Sequence, residues 1–222
     1  VVDGVNDTVG NGREVFVERS PDEALCGFGR QNVCLELECA VSFGDGSVKE
    51  VGVIDLGEVK KMVEDYCLGN ILLFTRNYSG TKQMKELCKD LHKNIIKSCG
   101  VLPLIAIDQE GGTVTRMMKE VTFAPSAMTC AASAFKDASY ESGRALARDM
   151  ILLGMNIDFA PCLEINRDCM DNNHNVRSYG ANPVSVAKHV KRFIDGMNEY
   201  GVLATAKHFP GSGDSTRDAH LE

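Results

Sequence analysis

The sequence predicts an α/β fold of the (β/α)8 TIM-barrel type, and an incomplete one. Short apolar segments alternate with amphipathic helical patterns from about residue 51 to the end of the chain. Polar residues follow these apolar segments directly, which is typical of a barrel that builds its site at the carboxyl ends of its strands. A complete barrel needs roughly 250 residues, so we expect this chain to hold about five of the eight βα units.

The predicted strands are short apolar runs, of the kind that a parallel sheet buries on both faces. In chain order they are residues 51–54, 71–74, 102–108, 156–161 and 202–206. Helical stripes of apolar residues separate them, and Gly69, Gly100 and Gly201 supply helix stops. Residues 1–48 show no recognisable chemistry, so we assign them to a poorly defined N-terminal extension and residues 49–222 to the partial barrel domain.

The alternative to a barrel is a doubly wound open sheet. That fold predicts a Gly-rich turn with G-x-G-x-x-G spacing after its first strand, and none follows residues 51–54. Polar residues instead follow several strands, at residues 75–77, 108–110, 164–166 and 207–208. We therefore predict a barrel whose polar side chains converge on one mouth.

Composition narrows the function classes. The formal net charge of −7 argues against nucleic acid or an anionic membrane as the main partner. No apolar run approaches the roughly 18 residues that a membrane-spanning helix needs. The start lacks both Met and a signal pattern, so we interpret it as incomplete or processed.

The nine cysteines form no C-x-x-C pair, and we interpret them as reduced thiols of an intracellular protein, which favours a cytoplasmic location. His and Cys never cluster at ligand spacing, so we expect no metal site.

Two candidate binding residues follow the third and fourth predicted strands. Asp108 precedes a Gly pair, and its carboxylate can accept hydrogen bonds from two sugar hydroxyls while the glycines let a ring approach the backbone. Arg177 lies in a polar loop, where its guanidinium offers a planar fork of donors to an oxygen-rich ligand. The alternatives without a binding role are that Asp108 caps a turn and that Arg177 is exposed to solvent.

The chemistry-rich segment is the end of the chain. Lys207 and His208 close the last strand, and their donors suit vicinal hydroxyls. Asp218 and His220 stand two residues apart, so the carboxylate can orient the imidazole, which then serves as acid and base. The alternatives are a core His beside a solvated Lys, and a solvent-exposed loop His.

Together these segments resemble the N-terminal barrel of glycoside hydrolase family 3, in its β-N-acetylhexosaminidase branch. Residues 104–116 match the family pattern L-I-A-I-D-Q-E-G-G-x-V-x-R, and residues 159–164 approximate F-A-P-V-L-D. Residues 177–180 match R-S-F-G, and residues 207–220 match K-H-F-P-G-H-G-D-x-x-x-D-x-H. Family 3 β-glucosidases lack the D-x-H loop, which therefore selects the hexosaminidase branch.

The resemblance implies a role for each matched residue. Asp108 should bind sugar hydroxyls, and Arg177, Lys207 and His208 should hold a terminal N-acetylglucosamine. Asp218 and His220 should form the acid/base dyad on a mobile loop.

The resemblance also implies a nucleophile, an Asp after a later strand in a context like S-D-D, which we expect beyond residue 222. Two positions depart from the family pattern: Ser212 stands where His is usual, and Glu164 replaces an Asp at a position that we interpret as supporting.

We therefore expect the full-length protein to be a retaining exo-β-N-acetylglucosaminidase (β-N-acetylhexosaminidase) that acts on carbohydrate without a cofactor. The chain itself should not turn over, because the covalent step needs the nucleophile. One alternative is a catalytically dead sugar-binding protein that ends near residue 222. Another is a phosphorylase or β-glucosidase of the same fold, since a His acid/base does not repel phosphate as a carboxylate does.

Overall fold

The computed structural model describes residues 8–9, 13–14, 34–36, 40–42, 48–50, 56–66, 69–166 and 175–209. In chain order, its strands and α-helices are β1 (Thr8–Val9), β2 (Arg13–Glu14), β3 (Cys34–Glu36), β4 (Ala40–Ser42), β5 (Val48–Glu50), α1 (Leu56–Tyr66), β6 (Asn70–Leu73), α2 (Thr81–Cys99), β7 (Leu104–Ile107), β8 (Gln109–Gly111), β9 (Val114–Thr115), α3 (Ala127–Ala132), α4 (Ala138–Leu153), β10 (Ile157–Asp158), α5 (Pro183–Asn198) and β11 (Leu203–Ala204). Short 3-10 helices span Thr75–Asn77 and Asn175–Arg177.

A parallel five-stranded sheet in the order β11-β10-β7-β6-β3 forms the centre of the described fold. The spatial order of the strands follows the chain order, whereas an open doubly wound sheet reverses its order at a switch point. Helices α2, α4 and α5 stand between successive strands, as in βα units. The prediction of an incomplete (β/α)8 barrel is confirmed.

The observed strands match the predicted ones in place but differ in extent. Strands β6, β7, β10 and β11 lie within or beside the predicted runs, and β10 has only two residues where six positions, 156–161, were predicted. After Asp158 the regular ladder is interrupted: Pro161 has no amide hydrogen to donate, and Cys162 pairs with Lys207 through an isolated parallel bridge. This stretch therefore holds a two-residue strand and a separate bridge instead of one continuous strand.

The first strand of the described sheet is β3 (Cys34–Glu36), whereas the sequence predicted a first strand at residues 51–54. Residues 51–54 lie outside the described residues, and β3 pairs with β6 instead, Cys34 opposite Asn70. β3 belongs to the stretch that we assigned to an N-terminal extension. The domain division at residue 48 stays a prediction.

Helix α2 illustrates how the sequence forms the outer layer. Its buried positions Met84, Cys88, Leu91 and Ile95 recur every three or four residues, which places them on one face. The helix ends at Cys99, and Gly100 caps it in the left-handed conformation with φ 71°, as the predicted helix stop requires.

Helix α5 begins at a strong start signal. The Asn182 side chain accepts hydrogen bonds from the backbone amides of Val184 at 3.0 Å and Ser185 at 3.1 Å, and Pro183 occupies the first turn. The buried face of α5 includes Phe193, so the helix is fixed before β11 brings the chain back to the sheet.

The apolar core lies between the sheet and the helices. In β7, Ile105, Ala106 and Ile107 are all buried, the pattern of a strand covered on both faces. None of the helices in the described ranges has the length and apolar character needed to cross a bilayer. Among the described cysteines, Cys88, Cys130 and Cys162 are buried free thiols.

Candidate active site

Lys207 and Asp108 meet at the carboxyl ends of two strands that are not neighbours in the sheet. Asp108 follows β7, Lys207 lies three residues beyond β11, and β10 runs between these strands. The Lys207 ammonium lies 2.6 Å from Asp108 Oδ1 and 2.6 Å from Glu110 Oε1. Only 14% of the Lys207 side chain and 15% of the Asp108 side chain are exposed, so water screens this contact weakly.

Glu110 joins Lys207 to Arg177. Arg177 donates from Nε to Glu110 Oε2 at 2.9 Å and from a terminal nitrogen to Oε1 at 2.8 Å, a bidentate pair. Burial opposes the ionisation of Glu110, but the hydrogen bonds from Arg177 and the charge of Lys207 outweigh it and hold the Glu110 pKa below its ordinary value. The hydrogen bond to Glu110 in turn raises the pKa of Arg177. Both side chains are therefore charged.

A short hairpin positions Glu110. Strands β8 and β9 pair antiparallel directly after Asp108, and the Gln109 side chain clasps the hairpin by accepting from the amides of Arg116 at 2.9 Å and Met117 at 3.1 Å. Because side chains alternate along an extended backbone, Asp108 and Glu110 share one side and Gln109 takes the other.

The glycines after Glu110 serve packing between backbone segments. A Cβ on Gly111 would lie 2.7 Å from the Pro125 carbonyl oxygen, and a Cβ on Gly112 would lie 2.5 Å from the Ser126 Cβ. The segment before α3 occupies the space that side chains at these two glycines would take, and the approach of a sugar ring to this backbone stays a prediction. Their φ angles of +88° and +60° also favour Gly.

Arg116 adds a third cation to the cluster. One of its terminal nitrogens lies 3.5 Å from Asp108 Oδ2, and its guanidinium carbon lies 5.7 Å from the centroid of the Phe74 ring. Its Nε is buried without a hydrogen-bond partner among the described residues. Asp108 thus lies between two cations, Lys207 and Arg116.

His208 lies at the same rim but faces a different carboxylate. Its backbone amide donates to Glu164 Oε1 at 3.1 Å, and its Nδ1 lies 3.3 Å from the same oxygen. Burial lowers the pKa of His208, as do the charges of Lys207 and Arg177, although Glu164 opposes the shift. His208 follows a cis peptide bond from Lys207, and 48% of its side chain is exposed.

Contacts of the two residues after Arg177 fix the loop that carries it. Ser178 is wholly buried and donates from Oγ to the Glu164 carbonyl oxygen at 2.7 Å. Tyr179 stacks on the ring of His189 with centroids 5.3 Å apart. These contacts fix the backbone that follows Arg177, so that its guanidinium can reach Glu110.

Asp158, on β10, is fully buried below this cluster. Burial raises its pKa to about 7, and the charges of Asp108 and Glu110 act in the same direction, while the Gln109 amide and Lys207 oppose them. It is the described carboxyl group of the site with the pKa most clearly raised by its surroundings.

The structure brings Asp108, Arg177 and Lys207 into one cluster and places His208 beside it. Asp218 and His220 lie outside the described residues, as does His174. Two further histidines have structural partners: His92 Nε2 lies 2.8 Å from the Gly154 carbonyl oxygen, and His189 Nδ1 lies 2.8 Å from Ser139 Oγ.

The sequence interpretation did not single out Glu110, Arg116 or Asp158. A signal existed for Glu110, because it stands two residues after Asp108 and extended backbone places such residues on one side. Arg116 closes the same motif. For Asp158, an acidic residue inside an otherwise apolar run was the signal.

The cluster combines donors and acceptors suited to a ligand rich in hydroxyl oxygens. Carboxylates accept from hydroxyls, and ammonium and guanidinium groups donate to them. In the described ranges, no group of three or more His, Cys, Asp or Glu side chains is arranged to hold a metal ion. The described side chains together can recognise polar oxygen atoms of a ligand.

Comparison with known proteins gives a consistent result. The model for the glycosyl hydrolase family 3 N terminal domain matches residues 45–222. The Beta-hexosaminidase of Photobacterium profundum is 32% identical over 171 residues, which are 74% of this chain and 48% of that protein. The Beta-hexosaminidase of Haemophilus influenzae is 35% identical over 159 residues, 70% of this chain and 44% of that protein. The chain spans about half the length of these curated relatives.

Solved structures agree with these sequence matches. A glycoside hydrolase family 3 β-N-acetylglucosaminidase from Paenibacillus sp. str. FPU-7 has a TM-score of 0.71 and 36% identity, over 73% of this chain and 31% of that chain. NagZ from Neisseria gonorrhoeae, in complex with N-trifluoroacetyl-D-glucosamine, has a TM-score of 0.66 and 29% identity, over 74% of this chain and 49% of that chain.

Proposed function

The chain belongs to glycosyl hydrolase family 3, in the β-N-acetylhexosaminidase branch, and we propose that the complete protein is a retaining exo-β-N-acetylglucosaminidase. Its substrate is a carbohydrate that ends in N-acetylglucosamine, and it hydrolyses the bond that holds this sugar. The observation that carries the proposal is the Lys207 ammonium, 2.6 Å from both Asp108 and Glu110 at the rim of the sheet.

In this proposal, the charged cluster binds the hydroxyls of the terminal sugar. Asp108 accepts hydrogen bonds, and Lys207 and Arg177 donate them. An ammonium has three N–H groups, and contacts with Asp108 and Glu110 occupy two of them among the described residues, so the third is proposed to donate to a hydroxyl. His208 adds a neutral polar ring at the same rim, since its pKa is lowered.

Proton transfer falls to Asp218 and His220. His220 protonates the leaving oxygen and then accepts a proton from water, and Asp218 orients its ring. The support for these two roles is the motif of residues 207–220. The resemblance to family 3 implies an Asp nucleophile in a context like S-D-D, which none of the matched motifs contains, and retaining hydrolysis requires that residue.

Hydrolysis of chromogenic substrates by the complete protein tests the proposal. We expect nitrophenol release from p-nitrophenyl N-acetyl-β-D-glucosaminide and little from the corresponding β-glucoside. The anomer that forms first, measured by proton NMR, should be β, because a retaining enzyme inverts the anomeric centre twice. His220→Ala should lose at least about 100-fold in rate, while the control His174→Ala should keep its activity.

Each alternative has its own outcome in this assay. Release that requires phosphate and yields a sugar 1-phosphate identifies a phosphorylase, and preferential release from the glucoside identifies a β-glucosidase. Binding of N-acetylglucosamine without release from either substrate identifies a catalytically dead sugar-binding protein. Any of these results overturns the proposed hydrolase.

A further inference from the structure

Asp158 occupies an unusual position for a carboxyl group. It lies on β10 between β7 and β11, opposite Ile107 on one side and Ala204 on the other, and none of it is exposed. Its Oδ2 has no hydrogen-bond partner among the described residues. Burying a polar oxygen without a partner costs stability, so Oδ2 contributes nothing to the stability of the described fold.

The other oxygen of Asp158 has a specific partner. Oδ1 accepts the backbone amide of Gln109 at 2.9 Å, at the point where the chain leaves β7 and enters the β8–β9 hairpin. Gln109 is wholly buried, and its side chain holds the amides of Arg116 and Met117. Asp158 Oδ1 therefore holds the backbone of Gln109, and the Gln109 side chain in turn holds the β8–β9 hairpin.

Gln109 stands between the two carboxylates that contact Lys207. Because Asp108 and Glu110 share the opposite side of the extended backbone, a rotation of the Gln109 peptide would move both of them. The Lys207 ammonium can lie 2.6 Å from each only while that peptide is held. The contact between Asp158 and Gln109 thus acts on the residue that is bonded directly to both groups of the sugar site.

We propose that Asp158 is a positioning residue, which holds the Gln109 amide so that Asp108 and Glu110 flank Lys207 in the geometry that binds sugar. This inference rests on the proposed function. It assigns Asp158 an effect on the affinity for the terminal sugar, exerted through Gln109, and no contact with the substrate. The buried position and the contact with Gln109 carry the inference, and the raised pKa agrees with a carboxyl group that lacks solvent.

The chain offers a matched control on the same strand run. Asn156 also accepts a backbone amide with its side chain, that of Ile105 at 2.8 Å, and it donates to the Pro103 carbonyl oxygen. It does so at the opposite end of β7, away from the charged cluster. Asp158→Ala and Asn156→Ala each remove one hydrogen bond between a side chain and the backbone at an end of β7. Only the hydrogen bond of Asp158 lies next to the charged cluster.

The experiment compares the complete protein with Asp158→Ala, Asp158→Asn and Asn156→Ala. Steady-state kinetics on the chromogenic N-acetylglucosaminide and calorimetric Kd values for N-acetylglucosamine give the affinity. We expect Asp158→Ala to raise KM and Kd by about 10-fold or more, the loss of roughly one hydrogen bond to a charged group. The Asn variant retains an acceptor oxygen for Gln109, so it should stay within about 3-fold of wild type.

Hydrogen exchange supplies a readout that does not depend on activity. Asp158→Ala should increase amide exchange in residues 105–118, whereas Asn156→Ala and Asp158→Asn should leave the Gln109 amide protected. If Asp158→Ala does not fold, the Asn variant still decides, because affinity and exchange near wild type support the inference and a 10-fold loss of affinity overturns it.

Failure of the inference differs from failure of the proposed function. An active wild type whose Asp158→Ala variant matches Asn156→Ala in KM and Kd overturns the positioning role. A wild type that neither hydrolyses nor binds N-acetylglucosamine overturns the proposed function itself. Even then, hydrogen exchange tests the inference separately: if the amides of residues 105–118 exchange at the same rate in Asp158→Ala as in wild type, Asp158 does not hold the Gln109 amide.

Discussion

The Nζ atom of Lys207 lies 2.6 Å from Oδ1 of Asp108, although 99 positions separate the two residues in the chain. Strand β10 runs between the strands that precede them, so the contact exists only because parallel strands end at a common rim. Glu110 extends it to Arg177, and the charges of the cluster therefore depend on one another.

Replacing the shared cation should disable the site. In Lys207→Ala, Asp108 and Glu110 lose their common partner, and two nearly buried carboxylates repel each other. We expect kcat/KM of the complete protein for the chromogenic substrate to fall by about 100-fold or more. Lys191→Ala is the matched control, because Lys191 pairs with Asp195 on the exposed face of α5, and it should stay within about 2-fold. Equal activity of the two variants would contradict the assigned role of Lys207.

Neutralising Glu110 should destabilise the protein at neutral pH more than at acid pH. The pKa of Glu110 is held below its ordinary 4.5, because Arg177 and Lys207 outweigh the effect of burial. Its contribution to the free energy of unfolding is therefore complete above pH 4.5 and is lost as the pH falls through the lowered value. We expect Glu110→Gln to lose about 3 kcal/mol at neutral pH in urea denaturation.

A surface pair provides the control for Glu110. Asp195→Asn breaks the exposed pair with Lys191 on α5 and should cost less than about 1 kcal/mol. The gap between Glu110→Gln and wild type should narrow as the pH falls below 4.5. If Glu110→Gln loses the same free energy of unfolding at every pH in this range, the charge of Glu110 does not stabilise the protein through Arg177 and Lys207.

The raised pKa of Asp158 should make the free energy of unfolding depend on pH in the opposite direction. Burial raises its pKa to about 7 from an ordinary 3.8, so the native state binds this proton more tightly than the unfolded chain. Between these values, rising pH removes stability from wild type, by up to about 1.4 kcal/mol per pH unit, and above about 7 the cost is constant. The amide side chain introduced by Asp158→Asn cannot ionise, so the stability of this variant should not fall with pH for this reason. The free energy of unfolding of Asp158→Asn relative to that of wild type should therefore rise between pH 3.8 and about 7. Urea denaturation at several pH values measures this difference. An identical pH profile for the two proteins would reject the raised pKa.

Close backbone packing behind Glu110 should make Gly112 sensitive to substitution. A Cβ there would lie 2.5 Å from the Ser126 Cβ, at a φ of +60°. We expect Gly112→Ala to lower the free energy of unfolding by about 3 kcal/mol or more, since backbone strain and overpacking add. Gly100→Ala isolates the backbone effect, because its φ is +71° with open space around it, and it should cost only about 1 to 2 kcal/mol. Thermal or chemical unfolding of both variants checks this difference.

Local patterns were enough to predict much of the described fold. The apolar run before Asp108 and the helical stripe that ends at Gly100 depend on periodicity and on the conformational preferences of single residues, and both are confirmed. The extents of the strands were less predictable. The run that holds β10 is interrupted around Pro161, which has no amide hydrogen, and pairing resumes at Cys162. The pairing of β3 with β6 joins two segments, and neither sequence indicates the other as its partner.

The sequence by itself determined the alternation of strands and helices and the polar residues that follow each strand, because both depend on neighbours along the chain. Only the tertiary structure decided which charges touch. Glu110 became the shared acceptor of Arg177 and Lys207, and Asp158 became the acceptor of the Gln109 amide, because those distances depend on how separate strands stack in the sheet and where each one ends. No local pattern encodes a contact between β7, β10 and β11, since it is the packing of the whole sheet that sets it.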